Sequence, residues 1–173
     1  AILTATTANQ RATVQTQTAS FLLGGGVATY ESTIRIPTLS DGTDTFTLRF
    51  GFGDNAGAEY SDGVYFRYAY NVNSGKFQGV TIAGGSEVAT PLDTGIAPSA
   101  ATWYKLRIVV NADASSVEFF INGVSVGTLT TNIPKVAGQE TGLLNRIIKS
   151  AGTNARTVEV DYLFGNIRFT SQR

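Results

Sequence analysis

The chain has 173 residues, with 13 basic side chains against 13 acidic ones, 42% hydrophobic and 10% aromatic residues, and no cysteine, histidine or methionine. This content fits one globular domain rather than a disordered segment, and the balanced charge, without any run of Lys or Arg, argues against nucleic acid or an anionic membrane surface as partner. The missing Cys and His remove disulfides, thiol nucleophiles and the usual general base, so a bound metal would be an oxygen-held cation such as Ca²⁺.

No apolar run approaches the roughly 20 residues of a membrane-spanning helix. The chain opens at Ala1 without a basic or apolar leader and lacks methionine, which reads as a processed product or a piece of a longer polypeptide. Residues 1–20 (AILTATTANQRATVQTQTAS) have no helical period and are expected to form an extended lead-in or edge strands. The main domain is expected over residues 21–173, beginning with the apolar Phe21-Leu22-Leu23 and the flexible Gly24-Gly25-Gly26.

From there the pattern has a period of two. Tyr30, Ile34 and Ile36 share one parity, with Glu31, Thr33 and Arg35 on the other; Phe46, Leu48, Phe50 and Phe52 oppose Thr45, Thr47 and Arg49. Val64, Phe66, Tyr68 and Tyr70 alternate with Tyr65, Arg67, Ala69 and Asn71. Successive side chains on a strand point to opposite faces, so each run predicts a half-buried antiparallel strand. Ser40-Asp41-Gly42, the stretch from Asp54 to Gly57, and Asn73-Ser74-Gly75 supply turns between them. Residues 76–96 read as shorter strands broken by glycine. Leu143 to Ile148 and Val158 to Phe164 add later strands, for roughly ten to twelve in all.

The stretch from Trp103 to Gly127 is the most telling. Two alternating apolar runs flank the polar turn 111–116, and Asn122-Gly123 then reverses the chain into Val124 and Val126. Asn-Gly between alternating hydrophobics marks a hairpin, because both residues tolerate positive φ. This W-Y-x-L-x-I strand followed by an F-F-x-N-G hairpin resembles the concanavalin A-like lectin/glucanase (laminin G-like) jelly roll. The resemblance implies an all-β, antiparallel two-sheet jelly-roll sandwich and points towards glycan binding. The later stretch I-I-K-S-A-G-T-N-A-R-T-V-E-V-D-Y resembles segments of bacteriophage fibre proteins, which implies a virion appendage domain of a commonly homotrimeric kind.

Catalytic branches of that fold are matched poorly. Glucanases carry E-x-D-x-x-E; Glu159-Val160-Asp161 matches its first half, and Phe164 stands in place of the second glutamate. The competing reading of that pair is a solvent-facing or Arg-paired strand edge. The alginate-lyase branch needs Q-[IV]-H and Y-x-K, whereas Tyr104-Lys105 is adjacent and histidine is absent. With no histidine to activate a serine and no phosphate loop, the chain is not expected to be an enzyme.

Ligand-binding candidates are Arg35, Arg49, Tyr65 and Arg67, which occupy polar parities, together with Tyr60 in the loop between two strong strands. Neighbouring strands would join them into a cationic and aromatic strip, suited to sugar rings and to the hydroxyls or carboxylates of an acidic polysaccharide. The alternative is a solvated face with ion pairs to Glu31 or Glu159, or a subunit interface. Asp54, Glu59 and Asp62 are candidate Ca²⁺ ligands, although their spacing matches no EF-hand and a plain polar hairpin loop is the competing reading. Trp103 faces outward by alternation, or else packs over the sandwich rim.

The sequence therefore leads to a non-catalytic carbohydrate-binding domain of a phage or virion appendage, recognising a bacterial surface polysaccharide. Its expected setting is a virion or the extracellular space, with other virion proteins as partners, a trimeric assembly, and no required cofactor beyond an optional Ca²⁺. The alternatives are a structural fibre or capsid-decorating module and, third, a polysaccharide-degrading enzyme.

Overall fold

The computed structural model of the protein describes residues 1–16, 20–55, 57 and 59–170. Among these the chain forms strands β1 (Ile2–Ala5), β2 (Arg11–Gln15), β3 (Gly26–Arg35), β4 (Phe46–Gly53), β5 (Gly63–Ala69), β6 (Gln78–Ala83), β7 (Ser86–Glu87), β8 (Leu92–Asp93), β9 (Trp103–Val110), β10 (Val117–Ile121), β11 (Val124–Leu129), β12 (Gly142–Lys149) and β13 (Arg156–Phe169). The only helical element among the described residues is a 3₁₀ turn at Asn73–Gly75, so no helix there is long and apolar enough to cross a membrane.

All pairings are antiparallel, and the strands divide between two sheets. The first runs β1-β13-β3-β9-β10-β11; the second runs β2-β12-β4-β5-β6-β7, with β8 also against β6. Residues before Phe21 thus supply one edge strand to each sheet. The Asn122-Gly123 hairpin joins β10 to β11 with φ of 53° and 84°, the positive pair that its sequence requires.

The core lies between the sheets and follows the alternation. Phe46, Leu48, Phe50, Phe52, Val64 and Phe66 from the second sheet meet Tyr30, Ile34, Leu106, Ile108 and Phe119 from the first, all buried. Phe66 and Phe119 meet edge to face at 5.1 Å. One polar link crosses this core: Tyr30 donates its hydroxyl proton to Asn145 Oδ1, and Asn145 Nδ2 donates to Ser32 Oγ at 2.9 Å. A second buried polar group ties loops to strands. Asp44 accepts from Lys149 Nζ at 2.9 Å, Asn154 Nδ2 at 2.7 Å and Arg156 Nη2 at 3.1 Å. Gly152 closes over it with φ +87°, where a Cβ would sit 2.0 Å from Asp44 Oδ1.

Candidate functional site

The outer face of the second sheet carries polar side chains in direct cross-strand register. Thr13 on β2 faces Arg146 on β12, Arg146 faces Arg49 on β4, Arg49 faces Arg67 on β5, Arg67 faces Gln78 on β6, and Gln78 faces Asp93 on β8. They align because directly opposed residues of antiparallel strands share a face. One row along stand Gln15, Leu144, Gly51, Tyr65 and Val80.

Adjacent guanidinium groups repel, and the surroundings offset this in three ways. Arg67 donates from Nε to Gln78 Oε1 and from Nη1 to Glu87 Oε2, each at 3.0 Å. Arg146 donates from Nη1 to the Asn55 carbonyl at 3.1 Å, and Arg49 donates from Nη2 to Glu59 Oε2. The Tyr60 ring serves two cations, with Arg49 at 4.9 Å and Arg146 at 4.5 Å from its centroid, while Arg49 also lies 5.4 Å from the Tyr65 ring. The negative face of an aromatic ring attracts such cations.

Tyr60 and Tyr65 pack edge to face at 5.1 Å and, with Val80, Ile82 and Leu144, form a small apolar cluster outside the main core. The cluster fits because Gly53 leaves the sheet bare beneath Tyr60, where a Cβ would come within 2.9 Å of the ring. Burial pushes the Tyr60 and Tyr65 hydroxyls up to about 12, against the opposing pull of the arginines. It also lowers the pKa of Arg146, whereas at Arg49 the same burial is outweighed by Tyr65 and Glu59 and the pKa rises. Arg49 Nε, Arg49 Nη1 and the Tyr60 hydroxyl are buried without a hydrogen-bond partner among the described residues.

Of the residues singled out from the sequence, Arg49, Tyr60, Tyr65 and Arg67 come together here. Arg35 does not. The connection after β3 crosses to the other sheet, so β3 pairs with β13 and β9 rather than with β4. Arg35 there bonds Glu159 at 2.5 Å and lies 5.1 Å from the ring of Trp103, which is 44% exposed. Tyr60 and Tyr65 are also buried rather than displayed. Arg146 and Gln78 complete the row and were missed; Arg146 sits in a strand whose two parities are both apolar enough to hide which face is outward.

Asp54, Glu59 and Asp62 turn to different partners. Asp54 accepts from the Ser61 amide at 3.2 Å, Asp62 accepts from the Gly84 amide at 2.8 Å, and Glu59 pairs with Arg49. Among the described residues no three acidic groups converge as metal ligands. A register shift between Val160 and Tyr162 takes Asp161 out of the β13–β3 pairing, and Glu159 is engaged by Arg35, so the Glu159/Asp161 pair forms no joint site. A groove of about 580 Å³ lined by Phe21, Leu23, Lys135, Glu140, Ile167 and Phe169 shares no residue with the arginine row.

Similar solved structures include an endo-β-1,4-glucuronan lyase from the fungus Trichoderma reesei, with TM-score 0.62 and 12% identity over 96% of this chain and 80% of that one. A β-glucanase of Bacillus licheniformis gives TM-score 0.58 and 13% identity over 91% of this chain and 78% of that one. The carbohydrate-binding module CBM66 from Bacillus subtilis gives 0.53 and 12% over 92% and 83%. At these identities the likeness is one of fold, and the fold is the concanavalin A-like jelly roll. No curated protein matches in sequence. The family match is direct: over residues 1–161 the chain belongs to the family described as SO2946-like, C-terminal domain.

Proposed function

We propose that this domain is a non-catalytic carbohydrate-binding module that takes an acidic polysaccharide on the outer face of its second sheet. The observation that carries the reading is the registered row Arg146–Arg49–Arg67–Gln78. With Thr13 and Asp93 it crosses six strands, about 24 Å at sheet spacing. That length suits an extended chain of several sugar units, and guanidinium forks match carboxylates in shape and charge; Arg67 is the most open of the four, while Arg146, Arg49 and Gln78 are buried. Fold neighbours that include polysaccharide lyases, a glucanase and a carbohydrate-binding module support a glycan ligand.

A lyase or hydrolase reading has less support. A general base works best with a pKa near the operating pH, and the tyrosines on this face are held at about 12. The finer reading is recognition of a bacterial surface polysaccharide by a virion appendage, as a trimer outside the cell, with Ca²⁺ optional at the Asp54–Asp62 loop. It rests on the fibre-like stretch from Ile147 to Tyr162. A structural module is favoured by one observation, namely that the arginines already have partners within the chain.

The test is binding to an array of bacterial surface polysaccharides, with and without Ca²⁺, alongside an assay for released sugar. Saturable binding to acidic glycans without cleavage is the expected result. Silence across the array leaves the structural module, and released product would make the domain an enzyme.

A further inference from the structure

The ion pair between Arg49 and Glu59 is lopsided. The Arg49 side chain is 10% exposed and fixed on a central strand, whereas the Glu59 side chain is 73% exposed on the loop above it. Glu59 Oε2 meets Nη2, and Nε and Nη1 of the same guanidinium have no hydrogen-bond partner among the described residues. The carboxylate of Glu59 has no other hydrogen-bond partner among the described residues. By comparison, the Arg67 guanidinium engages two side chains, Gln78 and Glu87.

We propose that Glu59 is a built-in stand-in for the ligand's carboxylate: it occupies the anion position of Arg49 and is displaced when an acidic sugar binds. This rests on the acidic-polysaccharide reading above. A carboxylate reaching Nη2 and one idle donor would form two charge-assisted hydrogen bonds where Glu59 forms one. Displacement begins with rotation of the exposed Glu59 side chain away from Nη2. The loop's stem is held separately, by Asp54 N to the Asp62 carbonyl at 3.1 Å, Ser61 N to Asp54, and Gly84 N to Asp62.

The consequence is selectivity. A neutral sugar offers nothing that competes for a guanidinium already neutralised, so Glu59 screens Arg49 from it, while a uronate exchanges one carboxylate for another. Glu59 therefore lowers affinity for the acidic ligand. A solvent-screened ion pair contributes about 0.2–1 kcal/mol, which converts to at most about fivefold in Kd.

The experiment measures binding of oligogalacturonate, and of its fully methyl-esterified form, to the wild-type domain and to Glu59→Gln by calorimetry. The expected result is tighter binding of the acid by Glu59→Gln, up to about fivefold, with the ester unchanged. Equal or weaker binding of the acid by the variant overturns the proposal, as does an equal gain for the ester. If neither protein binds the acid, the proposal also fails. In that case a neutral glycan retained on the array would keep the carbohydrate reading while removing its acidic ligand. The amide dispersion of Glu59→Gln, compared with wild type by NMR, confirms that the exposed substitution leaves the fold intact.

Discussion

Arg49 and Arg146 stand directly opposite each other on β4 and β12, and the ring of Tyr60 lies within 4.9 Å of one guanidinium and 4.5 Å of the other. One aromatic side chain from a loop thus separates and screens two like charges that the strand register forces together. Removing the ring by Tyr60→Ala is expected to cost about 3 kcal/mol, from lost packing and exposed repulsion. Urea unfolding of the variant measures this, and a loss below about 1 kcal/mol would remove Tyr60 as the organiser of this face.

The hydroxyls of two buried tyrosines should behave in opposite ways. Tyr60 has no hydrogen-bond partner for its hydroxyl among the described residues, so Tyr60→Phe is expected to be neutral or slightly stabilising. Tyr30 donates to Asn145 between the sheets, so Tyr30→Phe leaves a buried amide oxygen without its donor and should cost about 1–3 kcal/mol. The same denaturation series compares the two, and equal effects would contradict the assigned contacts.

Asp44 makes the fold sensitive to acid. Hydrogen bonds from Asn154, then from Lys149, hold its carboxyl at about 2, below the ordinary 3.8. A carboxylate whose pKa falls on folding stabilises the folded state fully above its unfolded value and loses that contribution as pH drops through the folded one. Stability should therefore decline from about pH 4 towards pH 2. Asp44→Asn should be less stable near neutrality and show a shallower decline. Urea midpoints taken across that range test this; an unchanged slope would place the acid sensitivity elsewhere, for example at Asp93, also held at about 2.

Glycan binding, once found, should distinguish the two sheets. Arg67→Ala removes a guanidinium from the proposed face and is expected to weaken binding about tenfold or more, as for a charge-assisted hydrogen bond. Arg35→Ala alters the opposite face and should leave Kd within about twofold. Reversal of these effects would move the site to the sheet that carries Trp103.

Much of the architecture was legible because a half-buried strand writes its burial into the sequence. Phe46, Leu48, Phe50 and Phe52 share one parity, and that parity is the core face of β4. Asn122-Gly123 announces its hairpin by local backbone energetics alone, and nothing distant is needed to read it. Parity also says correctly that Arg35, Arg49 and Arg67 point away from the core. It is silent on which sheet each strand joins.

Membership of a sheet is a long-range property, decided by how the strands pair and pack. The connection between β3 and β4 crosses from one sheet to the other, which separates Arg35 from Arg49 by the thickness of the core. Only the folded chain brings Arg146, almost a hundred residues along, into register with Arg49. Only the folded chain, too, lays the Tyr60 ring over bare Gly53 and turns Glu59 onto a buried guanidinium. By itself the sequence determined the class, the strands and the outward parity, because these follow from local periodicity and turn chemistry. The tertiary structure decided which outward residues are neighbours, because that depends on register between segments far apart in the chain.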